Sequence, residues 1–313
     1  MKEELIVSGR NLPLIDPQLE IWHWPIAVDL FLGGLAAGIL FFASWYTLNR
    51  KEQEFPAAVK WAPFAAPVAI VLALGCLFID LKHKLYFWQL YTTFKPASPM
   101  SLGSWILLFI TPLSILWAAS YLKELYPNWD WKLPILNKLE AWVQRNRRNL
   151  AWALILLAAG LGIYTGILLS AFNARPLWNT ALLAPMFLSY GLLTGAATIL
   201  WLSKEGVERQ WFRRIVLVLI GINLFFIVHL FMGFLAGPAV QVESSRHFLG
   251  GEFTWPFWGL VVGLGLVVPA FFELLKLRGL KIPEALPAIL ILLGGLAFRF
   301  IMVEAGQITR YLY

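Results

Sequence analysis

Long apolar stretches alternate with short polar ones along the whole chain. A helix needs about 20 apolar residues to cross the hydrocarbon core of a bilayer. Eight stretches reach that length, and charged, proline-marked or glycine-marked segments separate them. The pattern predicts eight transmembrane helices, near residues 24–48, 61–82, 101–122, 150–172, 181–203, 214–236, 255–275 and 285–305. The longest connection, 123–149, is expected to lie along the bilayer surface.

The composition excludes a large soluble domain. Charged residues make up 14% of the chain, against roughly 25% in soluble domains, and 59% of the residues are hydrophobic. We therefore expect an all-α integral membrane protein whose eight-transmembrane-helix bundle occupies residues 24–305. An outer N-terminal segment (1–23) and an outer C-terminal tail (306–313) flank it. The first twenty residues lack the apolar core of a signal peptide.

Lysine and arginine are unevenly divided between the two predicted faces of the membrane. Eight spans place both termini on one side, where the loops hold eight lysines and arginines, whereas the other side holds sixteen. Positive charge stays on the cytoplasmic side, so both termini are predicted on the outer, periplasmic side. The net charge of +7 is then a topology signal and indicates no nucleic-acid partner.

Residues that bind metals are scarce. Cys76 is the single cysteine, and the four histidines are His23, His83, His229 and His247. One cysteine excludes a cysteine-based metal site or an iron–sulfur cluster held by this chain alone. A haem between helices usually needs two facing intramembrane histidines, and His229 alone is deep. We expect neither haem nor metal in this chain.

Apart from Lys82 and Arg214 at the ends of their spans, six charged residues and histidines fall within the predicted spans, where they are costly and therefore candidates for function. Five lie toward the outer side, and at 1.5 Å per residue the three deepest are about 8–11 Å below it. The sixth, Glu273, lies near the inner end of its span and is expected to snorkel into the interface. The five outer residues are Asp29, Asp80, His229, Arg299 and Glu304.

Two interpretations of this outer layer are open. A polar pocket that opens outward would explain the common depth, with Asp29, His229, Arg299 and Glu304 relaying protons. In either case Arg299 is always charged, so we expect Asp29 or Glu304 to supply a nearby carboxylate. Alternatively, Asp29 and Arg299 only pair and lock helices 1 and 8 together, while His229 bonds a neighbouring hydroxyl or carbonyl.

Three segments of the chain carry a family resemblance. They are Trp24-Pro25 with Gly33-Gly34 and Gly38, Ser98-Pro99-Met100-Ser101 with Gly103-Ser104-Trp105, and Tyr164-Thr165-Gly166 with Arg175-Pro176-Leu177-Trp178-Asn179. From about residue 20 to its end the sequence resembles the NrfD / polysulfide-reductase membrane-subunit family. The second segment is the most specific of the three. A departure occurs after Asp80, where family members often have Gly-Arg-Pro and this chain has Lys82-His83-Lys84.

The resemblance implies an eight-helix subunit that interacts with quinone and has no redox metal of its own. Menaquinone or ubiquinone would be its bound substrate, with His23, Tyr164 and Asp80 contacting the headgroup. The partners implied are a ferredoxin-like iron–sulfur subunit and a catalytic subunit, either a molybdopterin enzyme or a multihaem cytochrome. The location implied is the bacterial or archaeal cytoplasmic membrane. Two alternatives stay open, namely a passive membrane anchor and a proton-conducting subunit without its own quinone site.

Overall fold

The computed structural model describes residues 22–129, 131–204 and 206–309. Most of the predicted N-terminal segment and the end of the predicted tail lie outside these residues. Eight of the described helices are long and apolar enough to cross a membrane, which confirms the predicted multi-pass all-α architecture. They are α1 (Trp24–Leu48), α2 (Ala57–Asp80), α3 (Pro99–Leu125), α4 (Arg147–Ser170), α5 (Leu183–Leu202), α6 (Val207–Leu235), α7 (Pro256–Leu277) and α8 (Ala285–Ile308).

The two ends of the bundle are named here by the chain. The terminal face is the end where α1 begins and α8 finishes, and the opposite face is the other end. Which of them faces the periplasm stays a prediction from the charge distribution. Shorter helices lie near the faces, at Gln89–Thr92 and Ala239–Arg246 on the terminal face and at Pro134–Arg145 on the opposite face.

Helix α6 is longer than the predicted span. It begins at Val207, seven residues before the predicted start at 214, and so includes Arg209, Arg213 and Arg214. The prediction stopped at these arginines because charge usually marks the end of an apolar span. The helix continues because Arg209 bonds the Ser203 carbonyl and Arg213 pairs with carboxylates, which removes the cost of keeping them in a helix.

The centre of the bundle is a contact between the backbones of α1 and α5. A methyl group added to Gly38 would lie 2.0 Å from the carbonyl oxygen of Gly191, and one added to Gly195 would lie 2.5 Å from the Gly38 carbonyl carbon. Small residues at such a crossing let membrane helices approach until their backbones touch. Gly265 of α7 and Gly294 of α8 repeat the arrangement, since a methyl group on Gly294 would lie 2.4 Å from the Gly265 Cα.

The helix at Pro134–Arg145 buries a carboxylate and leaves several large apolar side chains exposed. Glu140 is buried, 2.9 Å from Lys123 Nζ, and accepts a hydrogen bond from Trp131 Nε1 at 3.0 Å. Ile135 and Trp142 are exposed. Exposed apolar side chains beside a buried carboxylate indicate that the outward surroundings are apolar too. This orientation agrees with the predicted position of the segment along the bilayer surface.

A buried network of four charges joins α6, α7 and the start of α8 near the opposite face. Glu273 has no exposed surface and lies 2.9 Å from both Arg213 Nε and Lys276 Nζ. Glu284 receives the second arm of Arg213 at 2.8 Å and Lys276 Nζ at 2.7 Å. The expectation that Glu273 snorkels into the interface is therefore wrong. Its charge is balanced inside the protein by two cations that the sequence pattern placed in loops.

A third buried carboxylate holds the start of α2. Glu208 of α6 accepts hydrogen bonds from the backbone N–H groups of Ala57 and Ala58, at 3.1 and 2.9 Å. The first N–H groups of a helix have no partner within the helix, and an anion is favoured there. Glu208 thereby fixes where α2 begins, at a turn that starts in π geometry, Ala57–Trp61.

We predict that Gly38→Ala destabilises the bundle, because the new methyl group would meet the Gly191 carbonyl at 2.0 Å. Overpacking of this kind costs about 1–3 kcal/mol. Gly33→Ala is the matched control on the same helix, since a methyl group there meets nothing within 4 Å. The measurement is the thermal unfolding midpoint in detergent. Equal midpoints for the two variants would contradict the contact.

We also predict a large loss of stability for Glu273→Ala, because Arg213 and Lys276 would be left buried without their shared carboxylate. Breaking a buried pair in this way costs about 3–5 kcal/mol. Glu252→Ala, which removes the exposed partner of His247, should leave stability unchanged. Denaturant-dependent unfolding of both variants tests the difference, and a Glu273→Ala protein as stable as Glu252→Ala would refute it.

Candidate functional site

A group of polar residues lies where α1, α2, α3 and α4 meet, in the third of the bundle nearest the terminal face. Asp29 on α1 is five residues from the start of its helix and Tyr164 on α4 is six residues from the end of its own. Each is therefore about 8–9 Å below the terminal face. The Asp29 carboxylate is near enough to interact electrostatically with the Tyr164 hydroxyl and with the Cys76 thiol of α2.

Tyr164 is held by a glycine on the neighbouring helix. A methyl group on Gly103 of α3 would lie 1.9 Å from Cζ of the Tyr164 ring, the carbon that carries the hydroxyl. The tyrosine ring therefore rests on the α3 backbone, and no larger residue fits at position 103. The glycine of the Gly103-Ser104-Trp105 segment is thus explained by the position of the phenol.

The serines of the same segment hold the connection between α2 and α3 onto the bundle. Ser104 Oγ donates to the Leu90 carbonyl at 2.9 Å. Ser101 Oγ accepts from the Lys95 backbone N–H at 2.9 Å and donates to the Thr93 carbonyl at 3.1 Å. These bonds fix the loop above Tyr164. The loop also encloses a cleft of about 350 Å³ on the terminal face, lined by Leu81, Lys82, His83, Tyr86, Phe87, Gln89 and Leu90.

Asp80 belongs to this region through its helix. It is the last residue of α2 and stands four positions after Cys76, so the two side chains share one face of the helix. Helix α2 packs against α1 and α3. Asp80 is half-buried, one turn closer to the terminal face than Cys76.

His23 stands apart from this group. It is the N-cap residue of α1 and is exposed. Its neighbour Trp22 is fixed to the end of α8, because Gln307 Oε1 accepts from the Trp22 N–H at 2.7 Å and Gln307 Nε2 donates to the Trp22 carbonyl at 2.9 Å. His23 is therefore anchored at the terminal face, at the outer end of the helix that carries Asp29.

The Arg175-Pro176-Leu177-Trp178-Asn179 segment connects helices on the terminal face. Trp178 is fully buried and donates from Nε1 to the Met302 carbonyl at 2.8 Å. Arg175 donates to the carbonyls of Gln307 and Thr309 at 2.6 and 3.1 Å. Burial lowers the pKa of Arg175 from its usual value. These contacts give the segment a structural role in joining the α4–α5 connection to α8.

Arg299 lies in the centre of the bundle and forms no ion pair with any described carboxylate. It is 2% exposed, donates from Nη2 to the Phe187 carbonyl at 3.0 Å and stacks 3.7 Å from the Phe187 ring. The expectation that Asp29 or Glu304 neutralises it is wrong. Within the described part of the chain its Nε and Nη1 atoms have no hydrogen-bond partner, nor does the nearby Tyr190 hydroxyl.

His229 and Glu304 lie on the outside of the bundle. The His229 ring is exposed, stacks 3.9 Å from Phe225 and has its Nδ1 3.0 Å from the Phe225 carbonyl. Glu304 is exposed near the end of α8. The structure therefore separates the four predicted relay residues. Asp29 is in the α1–α4 group, Arg299 is in the core, and the other two point away from both.

Two members of the group were not singled out from the sequence for chemistry. Cys76 was considered only as a metal ligand, yet its spacing of four from Asp80 was a usable signal. Gly103 was quoted as part of a motif, without a reason for the glycine. In the described ranges, no three histidine, cysteine, aspartate or glutamate side chains come together as metal ligands.

Comparison with known proteins covers nearly the whole chain. The family described as polysulphide reductase, NrfD, matches residues 15–310. Protein NrfD of Escherichia coli is 32% identical, over 92% of this chain and 96% of its own length. A polysulfide reductase component of Wolinella succinogenes is 30% identical, over 92% of this chain and 94% of its own length.

A more distant relative has a different name. A selenate reductase component of Mesobacillus selenatarsenatis is 24% identical, over 91% of this chain and 74% of its own length. The match of the family over residues 15–310, together with the eight spanning helices, decides the assignment. This chain belongs to the NrfD family of polysulphide-reductase membrane subunits, and is a multi-pass membrane subunit of an oxidoreductase complex.

Proposed function

We propose that this chain exchanges electrons between the quinone pool of the cytoplasmic membrane and an iron–sulfur partner subunit. The observation that carries the proposal is the position of Tyr164, whose ring packs on Gly103 at about the same depth as Asp29 on the adjoining helix. A quinone headgroup has two oxygens that need hydrogen bonds, and oxidation of a quinol releases two protons with its two electrons. A tyrosine hydroxyl beside a carboxylate supplies a hydrogen bond and a proton acceptor in the same place.

The proposed role of each residue follows from its depth below the terminal face. The Tyr164 hydroxyl, fixed by the ring's contact with Gly103, bonds a headgroup oxygen. Asp29 takes a proton, and Asp80, on the outer turn of α2, passes it toward the terminal face. His23 is the exposed group at that face, where the proton would pass into bulk water. Menaquinone and ubiquinone both have the headgroup that this arrangement requires.

The partners follow from the position of the site. Since the chain is proposed to hold no haem or metal, an electron has to pass directly from the headgroup to a cluster in another subunit. The group around Tyr164 is only about 8–9 Å below the terminal face, so a ferredoxin-like iron–sulfur subunit docked there would be close to it. A catalytic subunit, either a molybdopterin enzyme or a multihaem cytochrome, would complete the complex. Relatives named polysulfide reductase and selenate reductase support a reductase complex of this kind.

A second candidate, proton conduction, is favoured by one observation. Arg299 Nε and Nη1, Tyr190 Oη and Ser189 Oγ are buried without partners among the described residues, close to the crossing of α5 and α8. Buried polar groups of this kind are normally bonded to protein or water. Ordered water joining them would give the bundle a polar interior next to the quinone site.

We predict that Tyr164→Phe and Asp29→Asn each slow quinol oxidation by the purified complex without reducing its assembly. Loss of one hydrogen bond should lower the turnover rate about tenfold in the tyrosine variant. Loss of a proton acceptor should lower the turnover rate about a hundredfold or more in the aspartate variant. Turnover with a soluble quinol analogue is the measurement.

Two further results decide between the proposal and its alternatives. His229→Gln is the matched control, because this exposed histidine lies away from the group and should leave turnover unchanged. A complex that keeps full quinol turnover with both His23→Gln and Tyr164→Phe would exclude this site. Insensitivity of turnover to quinone-site inhibitors would favour a passive anchor.

The contact between the Tyr164 ring and Gly103 provides an independent prediction. Gly103→Ala should displace the Tyr164 ring, because the methyl group would lie 1.9 Å from Cζ. We expect quinol turnover to fall about as far as in Tyr164→Phe, roughly tenfold. Gly75→Ala is the control, since a methyl group there meets nothing within 4 Å. Equal turnover in the two glycine variants would show that the position of the phenol does not matter.

A further inference from the structure

A groove of about 480 Å³ runs between α1 and α6 on the outside of the bundle, toward the opposite face. Its two walls come from regularly spaced residues on the two helices, and Leu192 of α5 contributes to its floor. On α1 these residues are Phe41, Phe42, Trp45 and Tyr46, and on α6 they are Trp211, Arg214, Ile215, Val218 and Leu219. The groove is separate from the Tyr164 group, which lies near the terminal face.

The walls of the groove are fixed by contacts within the protein. Trp211 Nε1 donates to the Tyr46 hydroxyl at 2.8 Å, which sets the plane of the indole. On the other wall the Phe41 and Trp45 rings are nearly parallel, 7° apart, with centroids 6.3 Å from each other. Trp45 is 50% and Trp211 47% exposed. Exposed tryptophans near the ends of spanning helices lie at the level of lipid headgroups.

Arg214 is the one charged residue that lines the groove, and no described carboxylate lies within ion-pairing distance of it. Its sequence neighbour Arg213 points the other way, into the buried network with Glu273 and Glu284. The two consecutive arginines therefore lie in different surroundings. Arg213 is neutralised inside the protein, whereas Arg214 is exposed on a spanning helix and has no counter-charge among the described residues. An arginine in that position favours an anionic oxygen ligand.

We propose that this groove binds an anionic phospholipid, with its phosphate on Arg214 and an acyl chain along Phe41, Ile215 and Val218. A pocket that is apolar except for one charged group is typical of a site that binds a ligand with an apolar body and one charged end. Basic residues near the membrane surface attract anionic lipids, and the opposite face carries sixteen of the 25 lysines and arginines. A neutral quinone would leave Arg214 without a counter-charge. A zwitterionic lipid would bring its own cation beside the guanidinium.

The test measures lipid binding to the purified membrane complex that contains this protein. Native mass spectrometry would follow the binding of phosphatidylglycerol and of phosphatidylcholine with matched acyl chains. We expect the wild-type complex to prefer phosphatidylglycerol, and Arg214→Gln to lose that preference by about tenfold in dissociation constant. Arg278→Gln is the control, because this exposed arginine at the end of α7 does not line the groove, and it should keep the preference.

A second variant tests the acyl-chain part of the site. Val218 is 61% exposed, so Val218→Trp can fill the groove without entering the core, and it should weaken binding of both lipids. Equal binding of the two lipids to the wild type, or an unchanged preference in Arg214→Gln, would overturn the proposal. Displacement of the bound phosphatidylglycerol by a soluble quinone analogue in equimolar amount would assign the groove to quinone instead.

Discussion

The contact between the backbones of α1 and α5 is the constraint on which the rest of the bundle depends. Membrane helices gain little from hydrophobic burial against one another, because lipid tails are as apolar as side chains. Close approach at Gly38 and Gly191 supplies dispersion contacts and sets the distance between the two helices. With α1 fixed in the centre, its face with Asp29 turns toward α2 and α4. Its face with Gly34 turns toward Arg299, whose Nη2 would lie 3.4 Å from a methyl group at that glycine.

The sequence was sufficient for the number and order of the helices, because the length of an apolar stretch is set by the bilayer and needs no knowledge of neighbours. It was insufficient near the opposite face. From the sequence pattern, Arg213 and Lys276 are predicted in loops, and Glu273 is predicted to snorkel toward the interface. Their contacts with one another show instead that all three are buried together. A charge is cheap in a spanning helix only when a partner meets it, and that partner comes from another part of the chain.

The same reason limits what could be predicted of the site. Residue position within a span gives depth, and Asp29, His229 and Arg299 do lie in the terminal-face half of their helices. The side of the helix on which a residue lies decides which groups its side chain contacts. Uniformly apolar spans give little indication of that side. Asp29 lies on a helix that packs against the helix of Tyr164, His229 is exposed, and Arg299 lies over aromatic rings. By depth alone these three residues belong to one layer of the bundle. The packing of the helices places them in three separate environments.

The bonds between Trp22 and Gln307 have a consequence for the shape of the molecule as a whole. They hold the beginning of α1 and the end of α8 side by side, with hydrogen bonds of 2.7 and 2.9 Å. The first and last spanning helices are therefore neighbours at the terminal face. A bundle of this kind is suited to circular permutation. A short linker could join residue 309 to residue 22, and new chain ends could be placed in a loop on either face.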